Sequence, residues 1–262
     1  MQKSVVIRLE LDERKKLILQ AVVEGYINTA EPVGSRSIAK LSPLGLSAAT
    51  IRNEMGDLEE MGLLEQPHTS AGRVPSQLGY RYYVDSLMQK YRMTAQEINQ
   101  FRASLEMKLQ EQDGLIRHIS KMFSQLTSMP IIASLESDEN RKYLEGRANI
   151  LGFPEYNDIE KAKNILHVFD DEQNLDEALK VIPQSDNVSI IIGNENNIPE
   201  LRDCSLVVAR YSAGKNIAGT IGIIGPTRMD YSKIVSKLEY LTNELSRRLA
   251  DEFEEGGEMD DG

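Results

Sequence analysis

The chain has 262 residues, 40% hydrophobic and 27% charged, enough for about two packed domains. No run approaches the ~18 apolar residues of a membrane span, the opening MQKSVVIR carries no apolar signal core, and Cys204 alone excludes an intrachain disulfide, so a cytoplasmic protein is expected. The net charge of −11 argues against a nucleic-acid partner until it is divided: residues 1–92 hold 12 Lys and Arg against 11 Asp and Glu, and the acidity lies in the remainder.

Leu17, Ile18, Ala21, Val22 and Ile27 recur at helical spacing over residues 12–28, with Asp12 as N-cap and Gly25 loosening the last turn. After a turn at 31–34, Ser35 is positioned to cap a short helix over 36–40. Residues 42–45 (SPLG) break the chain, and Ser47 opens a third helix to about residue 61, with Ile51, Met55, Leu58 and Met61 along one stripe and Gly62 as its stop. Two helices joined by a short turn, the second well capped, have the layout of a helix-turn-helix. Residues 63–65 and 73–74 read as two short strands closed by a loop at 67–72, a wing.

A fourth helix is expected over 80–88 and a longer helical region over 94–127, an imperfect heptad with Lys108 and Gln112 in the apolar seam, suited to a linker or dimer brace. Beyond Pro130 the pattern becomes mixed: helices at 158–169 and 175–182, strands at 188–192, 206–211 and 217–224, and a last helix over 231–252. The acidic, Gly-rich residues 254–262 read as disordered. The expected class is therefore α+β, with a winged reader at 1–92, a linker or dimerisation helix at 93–130, and a second domain at 131–253.

The first turns of the second helix of a helix-turn-helix meet base edges. Ser47, Ala49, Thr50, Arg52 and Asn53 supply small and hydrogen-bonding side chains there: Arg suits guanine O6 and N7, and Asn suits adenine N6 and N7. The same residues are equally those of a solvated helix face. In the wing, residues 66–76 concentrate His68, Thr69, Ser70 and Arg73, with hydroxyls for phosphates and an arginine for a minor groove. Ser35 and Arg36 at the start of the short helix complete the proposed DNA contacts.

The runs EPVGSRSIAK (31–40), LSAATIRNEMGDLE (46–59), PHTSAGRVPS (67–76) and GYRYYVD (79–85), with GIIGPTRMDY (222–231) near the other end, resemble the heat-inducible transcription repressor HrcA family. The resemblance implies a homodimeric repressor on an inverted repeat upstream of chaperone operons of the chaperonin and Hsp70 class, maintained by the chaperonin GroEL. It also implies a GAF-like domain carrying an inserted dimerising segment. Only about a dozen residues separate Met129-Pro130 from Tyr143-Leu144-Glu145-Gly146, where the family carries its early strands and the start of that insertion. The second domain is thus expected to be abridged.

Residues 219–225 lack the Lys-Ser/Thr ending of a P-loop and the spacing of a dinucleotide turn, so they read as a packed strand. Asp230 is suited to cap the last helix, and Arg228 is a candidate partner contact. His68, His118 and His167 are dispersed and read as surface residues. No metal site, catalytic constellation or cofactor motif can be nominated, and an enzyme is not expected. The rival reading is an abridged chaperonin-binding or interaction module with weakened or lost repression.

Overall fold

The computed structural model describes residues 10–41, 45–105, 112–136, 141–179, 188–213 and 217–257. They divide into two compact units, Met1–Met88 and Gln89–Gly262.

In the first unit, α1 (Glu13–Thr29) starts where Asp12 accepts from the Lys15 N–H and ends at Ala30 in a left-handed conformation, φ 56°. Gly25 does not loosen it, because the helix continues a full turn beyond. Ile18, Leu19, Val22 and Val23 are buried while Leu17, assigned inward by spacing, is 46% exposed. Helix α2 (Ser35–Leu41) corrects the expected cap: Ser35 is its first residue, and the Gly34 carbonyl receives the Ser37 and Ile38 N–H groups. Helix α3 (Ala48–Glu60) is capped by Ser47 and buries Ile51, Met55 and Leu58. Full burial of side chains like these contributes roughly 1.5–3 kcal/mol each. Gly62 at φ +74° stops α3, with the Leu63 N–H returning to the Leu58 carbonyl.

Strands β1 (Leu64–Glu65) and β2 (Val74–Pro75) pair antiparallel. Val33 forms an isolated bridge with Arg73, extending the pairing to the turn before α2. Ser76 then caps α4 (Gln77–Tyr82), earlier than the expected start at residue 80, and a π-helical turn Tyr83–Leu87 follows.

The second unit is a five-stranded antiparallel sheet ordered β4-β3-β7-β6-β5, from β3 (Ile131–Glu136), β4 (Arg141–Glu145), β5 (Val188–Ile192), β6 (Cys204–Ala213) and β7 (Ile217–Pro226). Ile132, Leu206, Val208 and Ile224 on one face join a core with α7 (Ile159–Asp170) and α8 (Glu172–Leu179). The alternate residues Ile131, Ala133, Val207, Ala209, Ile221 and Ile223 are buried on the opposite face, the one left for α5 (Ala95–Leu105), α6 (Gln112–Thr127) and α9 (Tyr231–Gly257). Phe101 of α5 packs against Phe123 of α6 and Tyr240 of α9. A central sheet with helices on both faces is the GAF-like α+β architecture.

Strand β3 and the first two residues of β4 fall within residues 131–142, the dozen residues where the second domain was expected to be abridged. The two strands register from Ile131 opposite Glu145 to Leu135 opposite Arg141, and β3 also pairs with β7. A strand buried on both faces is a continuous apolar run, with no alternation to announce it. Helix α8 begins three residues before its expected start because Asp171 caps it, accepting from the Gln173 N–H at 2.9 Å. Helix α9 runs to Gly257 through part of the expected disordered tail, since Glu is a good helix former. Lys108, residues 180–182 and the tail beyond 257 lie outside the described residues. At Gly219 a Cβ would strike the Ser134 carbonyl and the Tyr211 ring, which accounts for glycine in that strand. His118, expected at the surface, is half-buried with Nε2 enclosed and without a hydrogen bond among the described residues.

Candidate nucleic-acid interface

Helix α3 carries four acids, Glu54, Asp57, Glu59 and Glu60, and one base, Arg52, a poor composition for meeting phosphates. Its neighbours correct this. Lys15 of α1 reaches Glu54 at 2.7 Å and Asp57 at 2.9 Å, and Arg14 reaches Glu54 at 3.3 Å. Those two carboxylates hold the Lys15 ammonium well above the usual lysine range. On the opposite edge, Arg73 pairs with Glu59. Three of the four acids are thereby neutralised from the flanks. The face opposite Ile51 presents Ala49 and Asn53, both exposed, with exposed Arg52 beside them.

Ser47 spends its hydroxyl on the cap, accepting from the Thr50 N–H at 3.1 Å and sharing a 2.9 Å bond with the Thr50 hydroxyl. Both side chains are therefore tied to the helix start, and Ala49, Arg52 and Asn53 remain outward.

The wing is tied internally. Gln66 Nε2 donates to the carbonyls of Thr69 and Ala71 at 3.1 and 3.0 Å, and the Ala71 N–H bonds back to the His68 carbonyl. His68, Thr69 and Ser70 stand exposed at the tip. Arg73, assigned to a minor groove, is turned inward: Nε and Nη2 lie 2.9 and 2.8 Å from Glu59 Oε2, with the Arg73 side chain 16% exposed. It fixes the wing to α3 rather than projecting as a finger. Gly72 has no room for a side chain, since a Cβ would collide with the Val33 carbonyl.

These pieces enclose a cleft of about 360 Å³ lined by Gly34, Ser35, Arg36, Arg52, Met55 and residues 70–73. It gathers Ser35, Arg36, Arg52, Ser70 and Arg73 from three elements distant in sequence. Ser47, Ala49, Thr50, Asn53, His68 and Thr69 lie outside its lining. Sequence reasoning missed Glu59, Gln66 and the Val33 bridge. Glu59 gives no local signal, because its partner sits fourteen residues later across the wing.

In the second unit Arg228, the candidate partner contact, is held by Glu155: both guanidinium edges reach its carboxylate, Nη2 to Oε2 at 3.4 Å, and the side chain is 15% exposed. Its partner is within the same unit. Asp230 accepts from the Lys233 N–H at 3.2 Å at the start of α9. The Cys204 thiol is buried and pushed up to about 12 by desolvation. Among the described residues no group of three His, Cys, Asp or Glu is placed to hold a metal ion, and no helix is long and apolar enough to cross a membrane.

Residues 10–86 match the family described as the winged helix-turn-helix transcription repressor, HrcA DNA-binding, and residues 85–235 match the HrcA protein C-terminal domain. The heat-inducible transcription repressor HrcA of Ruminiclostridium cellulolyticum is 37% identical, over 91% of this chain and 97% of the relative, and that of Acetivibrio thermocellus is 33% identical over 91% and 96%. The first alignment runs over 339 residues while using 91% of this 262-residue chain, so about 100 positions of the relative face no residue here. A crystal structure described as that of a hypothetical protein superposes with a TM-score of 0.76 at 17% identity, over 92% of this chain and 99% of the other. With both units matched and relatives above 30% identity in alignments that span nearly the whole of each, the chain belongs to the HrcA family.

Proposed function

We propose that the chain represses transcription of stress-response operons of the chaperonin and Hsp70 class by binding an inverted-repeat operator as a homodimer in the cytoplasm. The observation that carries the reading is the exposed face of the first unit. Ala49 and Asn53 stand outward on α3, Arg36 and Arg52 stand beside them, and three of the four acids of α3 are paired at its flanks by Lys15, Arg14 and Arg73. The name shared by the relatives, heat-inducible transcription repressor, supports the regulatory role.

In this reading α3 enters the major groove and the wing lies against the backbone and the neighbouring minor groove. A reader with a net charge near +1 has little long-range attraction for DNA. Two readers joined in one dimer raise each other's effective concentration on two half-sites. Repression then depends on pairing, and chaperonin GroEL would act by maintaining the competent dimer. The test is gel filtration combined with titration of an inverted-repeat duplex. A dimer that prefers this duplex over a shuffled one supports the proposal. A monomer without sequence preference would instead support an interaction module that no longer represses.

A further inference from the structure

We infer that the cleft between α2, α3 and the wing is a seat for a DNA backbone phosphate, and that Arg52 and Arg36 clamp that phosphate instead of reading a base. The inference rests on the DNA-binding reading and reassigns its most prominent side chain.

When a helix fills the major groove and its wing reaches the adjacent minor groove, one sugar-phosphate strand must pass between them. In this reader the gap between α3 and the wing is the cleft, and it is lined with positive charge. Arg36 comes from α2, Arg52 from α3 and Arg73 from the strand side of the wing. Neither Arg36 nor Arg52 has an ion pair among the described residues, although five other basic side chains of this unit, Arg14, Lys15, Lys16, Arg73 and Arg81, are paired. Arg73 is held by Glu59, so its role is to position the wall.

A second observation points the same way. Ser35, 7% exposed, lines the same cleft beside the two arginines. Ser70 adds a further hydroxyl on the wing side. Two guanidinium groups and hydroxyls around one small cleft suit a single tetrahedral anion. A base edge is planar and offers no such concentration of negative charge.

Residue position on α3 agrees. Arg52 and Glu59 are seven residues apart and fall on the same edge of the helix, the edge that Arg73 ties to the wing. Asn53 and Ala49 lie on the outer face, which leaves base contact to them.

The experiment measures binding of the full chain and its R52A, R36A and N53A variants to the inverted-repeat duplex and to a shuffled duplex, across a salt series. Arg52 and Arg36 are exposed, and unchanged thermal melting establishes that each variant is folded. Expected for R52A and R36A are parallel losses on both duplexes, with the slope of log affinity against log salt falling by about one per reader. N53A should lose preference between duplexes and keep the slope. A neutral methylphosphonate at the seated position should weaken the wild type and leave R52A nearly indifferent.

A loss confined to the specific duplex in R52A, with an unchanged slope, would make Arg52 a base reader and overturn the assignment, as would no loss at all. Pyrophosphate displacing the duplex at constant ionic strength, with an effect abolished in R52A, would assign the cleft to a free phosphate ligand and overturn the backbone seat. A wild type with no preference for the inverted repeat fails the parent reading, an outcome distinct from these.

Discussion

The Arg73 guanidinium in the wing grips the Glu59 carboxylate at the far end of α3, two nitrogens at 2.9 and 2.8 Å from one oxygen. The contact fixes the distance between the helix that enters a groove and the loop beside it. Breaking it by Glu59→Gln or Arg73→Ala should cost about 1 kcal/mol of stability, since the carboxylate side is partly solvated. DNA affinity should fall further than that on every sequence tested, with base preference kept. Thermal melting and binding to matched and shuffled duplexes check this.

Gly72→Ala should be more severe. The added methyl group would meet the Val33 carbonyl, which accepts from the Arg73 N–H at 2.9 Å in the bridge that anchors the wing. Backbone on backbone has no rotamer to relieve it. Expected are loss of DNA binding and a lowered melting transition in the first unit, while hydrogen exchange in the β6 and β7 strands stays protected.

Asn53→Ala should change which sequence is preferred. A side chain matched to adenine contributes about 1–3 kcal/mol of discrimination against the wrong base. Binding to a panel of duplexes with single base-pair changes should flatten at one position per half-site.

The segment that begins the second unit carries an acid-sensitive contact. Glu97 accepts the Thr94 N–H at 2.8 Å and pairs with Lys237 at 3.0 Å, which holds its carboxyl at about 2, below the ordinary 4.5. A folded value below the unfolded one stabilises the protein above the unfolded value, and that contribution drains away as pH falls from about 4.5 to about 2. The melting-temperature gap between wild type and Glu97→Gln should therefore be full at neutral pH and close across that acid window.

Cys204 should be inert in the native protein. It is 1% exposed, receives the Tyr156 hydroxyl at 3.2 Å, and its thiol is pushed up to about 12 by burial. Alkylation at neutral pH should be slow until denaturant unfolds the second unit.

Much of the reader was legible because its signals are local. Ser47 capping α3, the buried stripe Ile51, Met55 and Leu58, and Gly62 as stop all follow from short-range spacing. The Val33 bridge and the Arg73 pair were hidden because they join residues far apart in sequence, and an arginine in a loop looks the same whether it projects or turns inward. Strand β3 was hidden for another reason: Ile131, Ile132 and Ala133 are buried on both faces, so the run has no period. The shortened middle was legible as a missing span between familiar motifs. That strand β3 falls within it depends on pairing with β4 and β7, which no local pattern encodes.

Selection of duplexes from a random pool by the full chain, followed by titration of the enriched sequence at two salt concentrations, tests the central claim most directly. The account predicts enrichment of an inverted repeat, bound at least about a thousandfold tighter than shuffled DNA and more weakly as salt rises. A pool that stays random after selection, with equal affinity for every duplex, would contradict it.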